Sequence, residues 1–95
     1  MEFKLQTIRF NATEKLVAYI DKKMAKFDKH SEIQTCELTL KVVKPETANN
    51  KEASLHLTLP GKTIHAEKVA DTFEEAIALC VDIARRELNE KKENR

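Results

Sequence analysis

The sequence predicts an α+β domain of two layers, in the order β-α-β-β-β-α, with a four-stranded mixed sheet and both helices on one face. Three observations predict it. Stretches 33–43, 52–59 and 62–69 alternate apolar and polar residues with the two-residue period of a half-buried strand. Stretches 14–29 and 73–88 instead repeat their apolar residues at helical spacing. Finally, each predicted strand keeps one polar face, so the sheet needs cover on one side only. A chain of 95 residues builds one such core and not two.

The opening segment 2–9 is the first strand, with Phe3 and Leu5 on one face and Lys4 and Gln6 on the other. Ile8 and Phe10 continue on the opposite parity, so a bulge or an end to pairing is expected near Thr7. Asn11 and Thr13 both suit the cap of the helix that follows, and Asn11 has capping-box spacing to Glu14. That helix is expected over residues 14–29, burying Leu16, Val17, Ile20, Met24 and Phe27, with His30 as a charge partner at its C-terminal end. The second strand, 33–43, turns Cys36, Leu38, Leu40 and Val42 inward. Residues 45–50 are polar and turn-rich, which predicts a mobile loop.

The third strand, 52–59, puts Ala53, Leu55, Leu57 and Leu59 inside. Pro60-Gly61 is a turn signal. A hairpin turning there pairs Leu57 with Ile64 and Leu55 with Ala66, and sets His56 opposite His65 on the outer face. The last helix opens with capping-box spacing between Asp71 and Glu74 and buries Phe73, Ala76, Ile77, Cys80, Val81, Ala84 and Leu88. The first strand reaches the second through a helix, which suits a right-handed parallel crossover.

Several function classes are excluded. The single glycine leaves no glycine-rich phosphate loop. No serine has a histidine and an acid at a motif spacing, and no HExxH or Cys/His cluster occurs, so neither catalysis nor a metal or other cofactor is expected. No apolar run of membrane length and no signal-like segment is present, which predicts a cytoplasmic protein with no membrane contact. Cys36 and Cys80 lack CxxC spacing and sit on apolar faces, as buried reduced thiols do. His56 and His65 read as ordinary surface histidines.

Charge patterning is the strongest functional signal. On a regular helix, Lys15, Lys22, Lys26 and Lys29 fall within a strip of about 60°, while Glu14, Asp21 and Asp28 form a strip of their own. A helix built for solubility alone more often interleaves the two signs at i,i+4. Lys22, Lys23, Lys26 and Lys29 near the end of one helix match Arg85, Arg86, Lys91 and Lys92 near the end of the other. With a net charge of only +1, any polyanion must be met by such local clusters. The outer faces of strands two to four lack Phe and Tyr, which argues against base stacking on the sheet and for shape-directed binding of folded RNA. Tyr19, about 50° from the lysine strip, reads as a half-exposed packing residue.

On these features the chain resembles the ribosome hibernation-promoting factor family, also called protein Y or ribosome-associated inhibitor A. The opening FKLQTIRFNATEKLVAYIDKKMAKFDK is similar to the family's strand, threonine cap and helix with a basic end. Ile64-His65-Ala66-Glu67 resembles its strand before the second helix, and DTFEEAIALCVDIARRELNEKK resembles its Asp-x-aromatic opening and Arg-rich ending. Glu87 and Glu90 stand where relatives often carry Gln and Lys. The resemblance covers nearly the whole chain and implies a fold like that of double-stranded RNA-binding domains.

It further implies a single ribosome-binding domain over 1–95, a short form without the C-terminal dimerisation domain, monomeric off the ribosome. Its partner would be the small ribosomal subunit and its rRNA, bound near the decoding centre in competition with mRNA and tRNA. Translation would be inhibited in starved or stationary-phase cells without bond chemistry. The RNA-binding residues would be Lys15, Lys22, Lys23, Lys26, Lys29, Arg85, Arg86, Lys91 and Lys92. Two other readings stand beside it: a general structured-RNA-binding domain, and a protein-interaction module using the open sheet face around His56 and His65.

Overall fold

The alternation in the opening segment forms strand β1 (Glu2–Ile8), which pairs in parallel with β2 (Thr35–Val42). A computed structural model describes the backbone of residues 1–43 and 50–93, and side chains as far as residue 88. β2 continues as an antiparallel meander through β3 (Lys51–Leu59) and β4 (Lys62–Ala70), giving the sheet order β1-β2-β3-β4. Between β1 and β2 lies helix α1 (Glu14–Met24), and after β4 comes α2 (Phe73–Glu93). The order and layers are those expected. The turn at Pro60-Gly61 carries Gly61 at φ 70°, a left-handed conformation that glycine adopts without a Cβ penalty. It sets the expected pairs Leu57–Ile64, Leu55–Ala66 and His56–His65.

The core lies between the sheet and the helices. Cys36, Leu38 and Leu40 from β2, Ala53, Leu55, Leu57 and Leu59 from β3, and Ile64 and Ala66 from β4 are all buried. They meet the α2 stripe of Phe73, Ala76, Ile77, Cys80, Val81, Ala84 and Leu88, which is also buried. Phe3 and Leu5 are half-buried, because β1 is an edge strand. Both cysteines are free and buried. Burial, helped by nearby Glu37, pushes the Cys36 thiol up to about 12. Burial likewise raises Cys80, to about 11. Cys80 Sγ lies 3.3 Å from the Ala53 carbonyl and 3.5 Å from that of Ala66, so its S–H is satisfied inside the core.

Two open alternatives are decided and four expectations need correction. Of the bulge or end to pairing expected near Thr7, the structure has the end: β1 keeps an unbroken register with β2 through Ile8 and its pairing stops there. The parity change at Phe10 comes from Arg9, whose φ of 73° turns the chain and brings Phe10 into a stack on Phe73, 4.4 Å between ring centres and 15° between planes. Thr13 is the cap of α1: its Oγ1 accepts the Leu16 N–H at 3.1 Å. On α2 the cap hydroxyl belongs to Thr72, which accepts the Glu75 N–H at 3.1 Å, one residue after the expected Asp71.

The helix expected to reach residue 29 instead ends at Met24 and tightens into a 3-10 turn, Ala25–Phe27. Asp28, His30 and Ile33 donate their N–H groups to Ala25, Phe27 and His30 in turn, each three residues back. This winding drives Phe27 and Ile33 into the core and buries His30, which is therefore a structural residue rather than a helix-end charge partner. Its Nδ1 stands 3.6 Å from a Glu32 carboxylate oxygen. Val17, expected inside, is 36% exposed. Leu16, Ile20 and Met24 make a narrow buried stripe, and Val17 sits about 100° round from Leu16. The segment expected to be mobile lies outside the described residues except for Asn50, which is buried and accepts the Val43 N–H through its carbonyl at 2.9 Å.

Candidate nucleic-acid interface

Topology decides where the basic side chains go. β1, β2 and β4 run in one direction. A helix that follows a strand and packs back on the sheet must return antiparallel to it, so α1 and α2 both run opposite to β1 and β4, roughly parallel to each other. Two contacts tie their N-terminal parts together. One is the Phe10–Phe73 stack. In the other, the Tyr19 hydroxyl donates to the Glu74 carbonyl at 3.1 Å. Both C-terminal halves therefore lead toward the end of the sheet that carries the Pro60-Gly61 turn.

At that end Lys22 is exposed and Lys23 half-buried in the last turn of α1. Lys26 is exposed on the 3-10 turn and Lys29 just beyond it. The break at Met24 ends the regular strip expected from Lys15 to Lys29. Lys26 and Lys29, three residues apart, follow the three-residue winding that buries Phe27 and His30. Lys15 is exposed in the first turn of α1, two turns or about 10 Å before Lys22. On α2, Arg86 is exposed and Arg85 half-buried. Lys91 and Lys92 belong to the last turns of α2, with side chains beyond those described.

Tyr19 organises this surface, a role its spacing on the helix did not reveal. Lys23 Nζ sits 5.5 Å from the centre of its ring, a cation–π distance. Burial, then the charges of Glu74 and Asp82, push the phenol above its ordinary range, which keeps its proton available for the Glu74 carbonyl. Tyr19 is thus the packing residue expected, and in addition the group that locks α1 to α2. The opposite end of the helical layer is acidic, with Glu14 in the first turn of α1 and Glu74 and Glu75 in that of α2.

The outer sheet face is polar. Lys4, Glu37, His56 and His65 form one row across the four strands, and Gln6, Thr39, Ser54 and Glu67 the next. No Phe or Tyr occupies an outward position on β2, β3 or β4. Glu52 and Glu67 are diagonal neighbours; a hydrogen bond between them raises the Glu52 carboxyl above its ordinary value, burial and the Glu67 charge add to this, and Lys41 opposes it. Among the described residues no helix is long and apolar enough to cross a membrane, and no group of three or more His, Cys, Asp and Glu side chains is arranged to hold a metal ion.

Comparison with known proteins agrees with this architecture. A ribosomal subunit interface protein from Coxiella burnetii superposes with a TM-score of 0.81 at 19% identity, over 97% of this chain and 98% of that one. The N-terminal domain of Protein Y from Thermus thermophilus superposes with a TM-score of 0.72 at 24% identity, over the whole of both chains. No curated protein sequence was found to match. The family model described as Sigma 54 modulation protein / S30EA ribosomal protein matches residues 3–95. The resemblance to the hibernation-promoting factor and protein Y family therefore holds, and the chain belongs to the Sigma 54 modulation protein / S30EA ribosomal protein family.

Proposed function

We propose that this protein binds the small ribosomal subunit near the decoding centre and inhibits translation by occupying the path of mRNA and tRNA. The observation that carries the reading is the gathering of Lys22, Lys23, Lys26, Lys29, Arg85 and Arg86 at one end of two parallel helices, in a chain with a net charge of only +1. Lysines act there as point charges on phosphates, and the arginines offer paired donors to phosphate oxygens. Lys91 and Lys92 extend the footprint along α2, and Lys15 is an outlying contact from the first turn of α1, toward the other end. The family's description as a ribosomal protein supports the choice of partner.

The mechanism is steric and electrostatic. Neutralised phosphates release counterions, so affinity falls with salt, by roughly 0.7 to 0.9 of a log unit per contact for each tenfold rise. The sheet face without stacking aromatics supports recognition of folded RNA by shape rather than of bases by stacking. The protein works in the cytoplasm as a single ribosome-binding domain, a monomer off the ribosome, and preserves idle ribosomes during starvation or stationary phase.

Co-sedimentation of the purified protein with small subunits, across a salt series and with or without mRNA and initiator tRNA, tests the reading. Saturable binding that weakens with salt and is displaced by those ligands is expected. Equal affinity for arbitrary duplex RNA would replace it with a general structured-RNA binder. Salt-insensitive binding lost on substitution of the sheet face would replace it with a protein-interaction module.

A further inference from the structure

The outer sheet face holds a pair of imidazoles whose placement the helix-borne interface does not use. The two-residue turn at Pro60-Gly61 closes on Leu59 and Lys62, which form a hydrogen-bonded pair. Pair types alternate along an antiparallel ladder, so His56–His65, three steps away, is a non-hydrogen-bonded pair. At such a pair the backbones approach to about 4.5 Å between Cα atoms and the side chains stand closest. Both histidines are exposed, and their ring centres lie 5.6 Å apart with planes tilted by 38°.

An ion bound to one nitrogen of each ring at about 2.0–2.1 Å holds the ring centres about 5 Å apart at tetrahedral or trigonal angles. The observed pair is within a small side-chain adjustment of that arrangement. A second contact supplies what such a ligand needs. His65 Nε2 lies 2.9 Å from Ser54 Oγ, and with the ring proton on Nε2 the hydroxyl is its acceptor. That tautomer leaves the lone pair on Nδ1, and a hydrogen bond on the far nitrogen is the usual support of a ligating imidazole. Glu37 is the register partner of His56 on β2 and offers negative charge on the same face.

We propose that His56 and His65 form a clamp for a late first-row divalent cation, the class that imidazole nitrogen favours, with Cu²⁺ held more tightly than Zn²⁺. The protein supplies two ligands, since no larger donor group is assembled there. Water fills the remaining positions, which stay open to a donor from another molecule.

Zn²⁺ titrated into the tag-free full chain, followed through the imidazole C–H resonances in NMR, tests the clamp. The His56 and His65 signals should move together and saturate at one ion per chain, while those of buried His30 stay still. His56→Gln and His65→Gln should each weaken binding by about tenfold or more, and Ser54→Ala by several-fold. With Cu²⁺, the electron paramagnetic resonance spectrum should carry coupling to two nitrogens. Movement of one histidine alone, no saturation, or unchanged affinity in His56→Gln would overturn the proposal. Because both side chains are exposed, circular dichroism should show these variants folded, and Lys22→Glu should leave the titration unchanged.

Discussion

The two ends of the helical layer are built from the same pair of helices and differ in their charged side chains. At the N-terminal end, Glu14, Glu74 and Glu75 lie in first turns, and the Phe10–Phe73 stack and the Tyr19–Glu74 hydrogen bond hold the helices together. At the C-terminal end, Lys22, Lys23, Lys26, Lys29, Arg85 and Arg86 gather. The helix dipole favours acids at one end and bases at the other in any helix, so each helix alone is unremarkable. Running the two helices in the same direction adds their asymmetries. A nearly neutral chain thereby gathers six basic side chains at one end, where Asp21, Asp28, Asp82 and Glu87 offset part of the charge, and the other end supplies the mechanical tie.

The largest way to break this contrast is at Phe27, which is fully buried and anchors the turn that carries Lys26 and Lys29. Phe27→Ala should cost about 3–5 kcal/mol of stability, measured by urea unfolding, and should disorder the basic end first in hydrogen exchange. Loss of less than 1 kcal/mol would show that the turn does not depend on this anchor. At the acidic end, Thr72→Ala removes the cap of α2 and should cost about 1 kcal/mol. Tyr19→Phe keeps the ring under Lys23 but removes the tie to the Glu74 carbonyl. It should also cost about 1 kcal/mol, since one hydrogen bond is lost.

The smallest effect lies on the sheet face. The Glu52 carboxyl is raised in the folded protein above its ordinary 4.5, so the folded state holds that proton more tightly than the unfolded chain. The stability it contributes is complete below that value and is lost as pH rises through the folded-state pKa. Glu67→Gln removes the repulsion and should stabilise the protein at pH 7 by about 0.3 kcal/mol while flattening this loss. Thermal unfolding of both forms at pH 4 and pH 7 checks the sign; a larger gain at pH 4 would contradict it.

Much of this arrangement was legible because period and turn chemistry agreed. Pro60-Gly61 fixed the hairpin register to the residue, and alternation placed every inward side chain of β3. The α2 stripe was legible because its apolar residues recur over four turns. The end of α1 was not, because residues 25–29 contain no breaker. The available signal was subtler: Met24, Phe27, His30 and Ile33 recur every three residues, the period of a 3-10 path, and all four are buried. A histidine in that series reads as polar unless the period is noticed first. The α2 cap lies one residue past the expected Asp71, and α1 leaves Asn11 and Thr13 undecided on sequence, because both members of each pair can accept a backbone N–H and only the entry angle of the chain selects one. Arg9 gave no warning of its left-handed conformation, since neither Gly nor Asn marks the position. The tie made by Tyr19 joins residues 55 apart in sequence, which no local pattern encodes.

The most direct test of the basic end is the salt dependence of small-subunit binding in paired charge variants. Lys22→Glu with Lys26→Glu, and separately Arg86→Glu, should weaken binding at least tenfold and lower the slope of log affinity against log salt by about one per lost contact. Glu75→Lys at the acidic end, made as the control, should leave affinity unchanged or slightly raised. Equal affinity and equal slope in the basic-end variants and the wild type would contradict the account, because the charge gathered by the parallel helices would then not be what meets the ribosome.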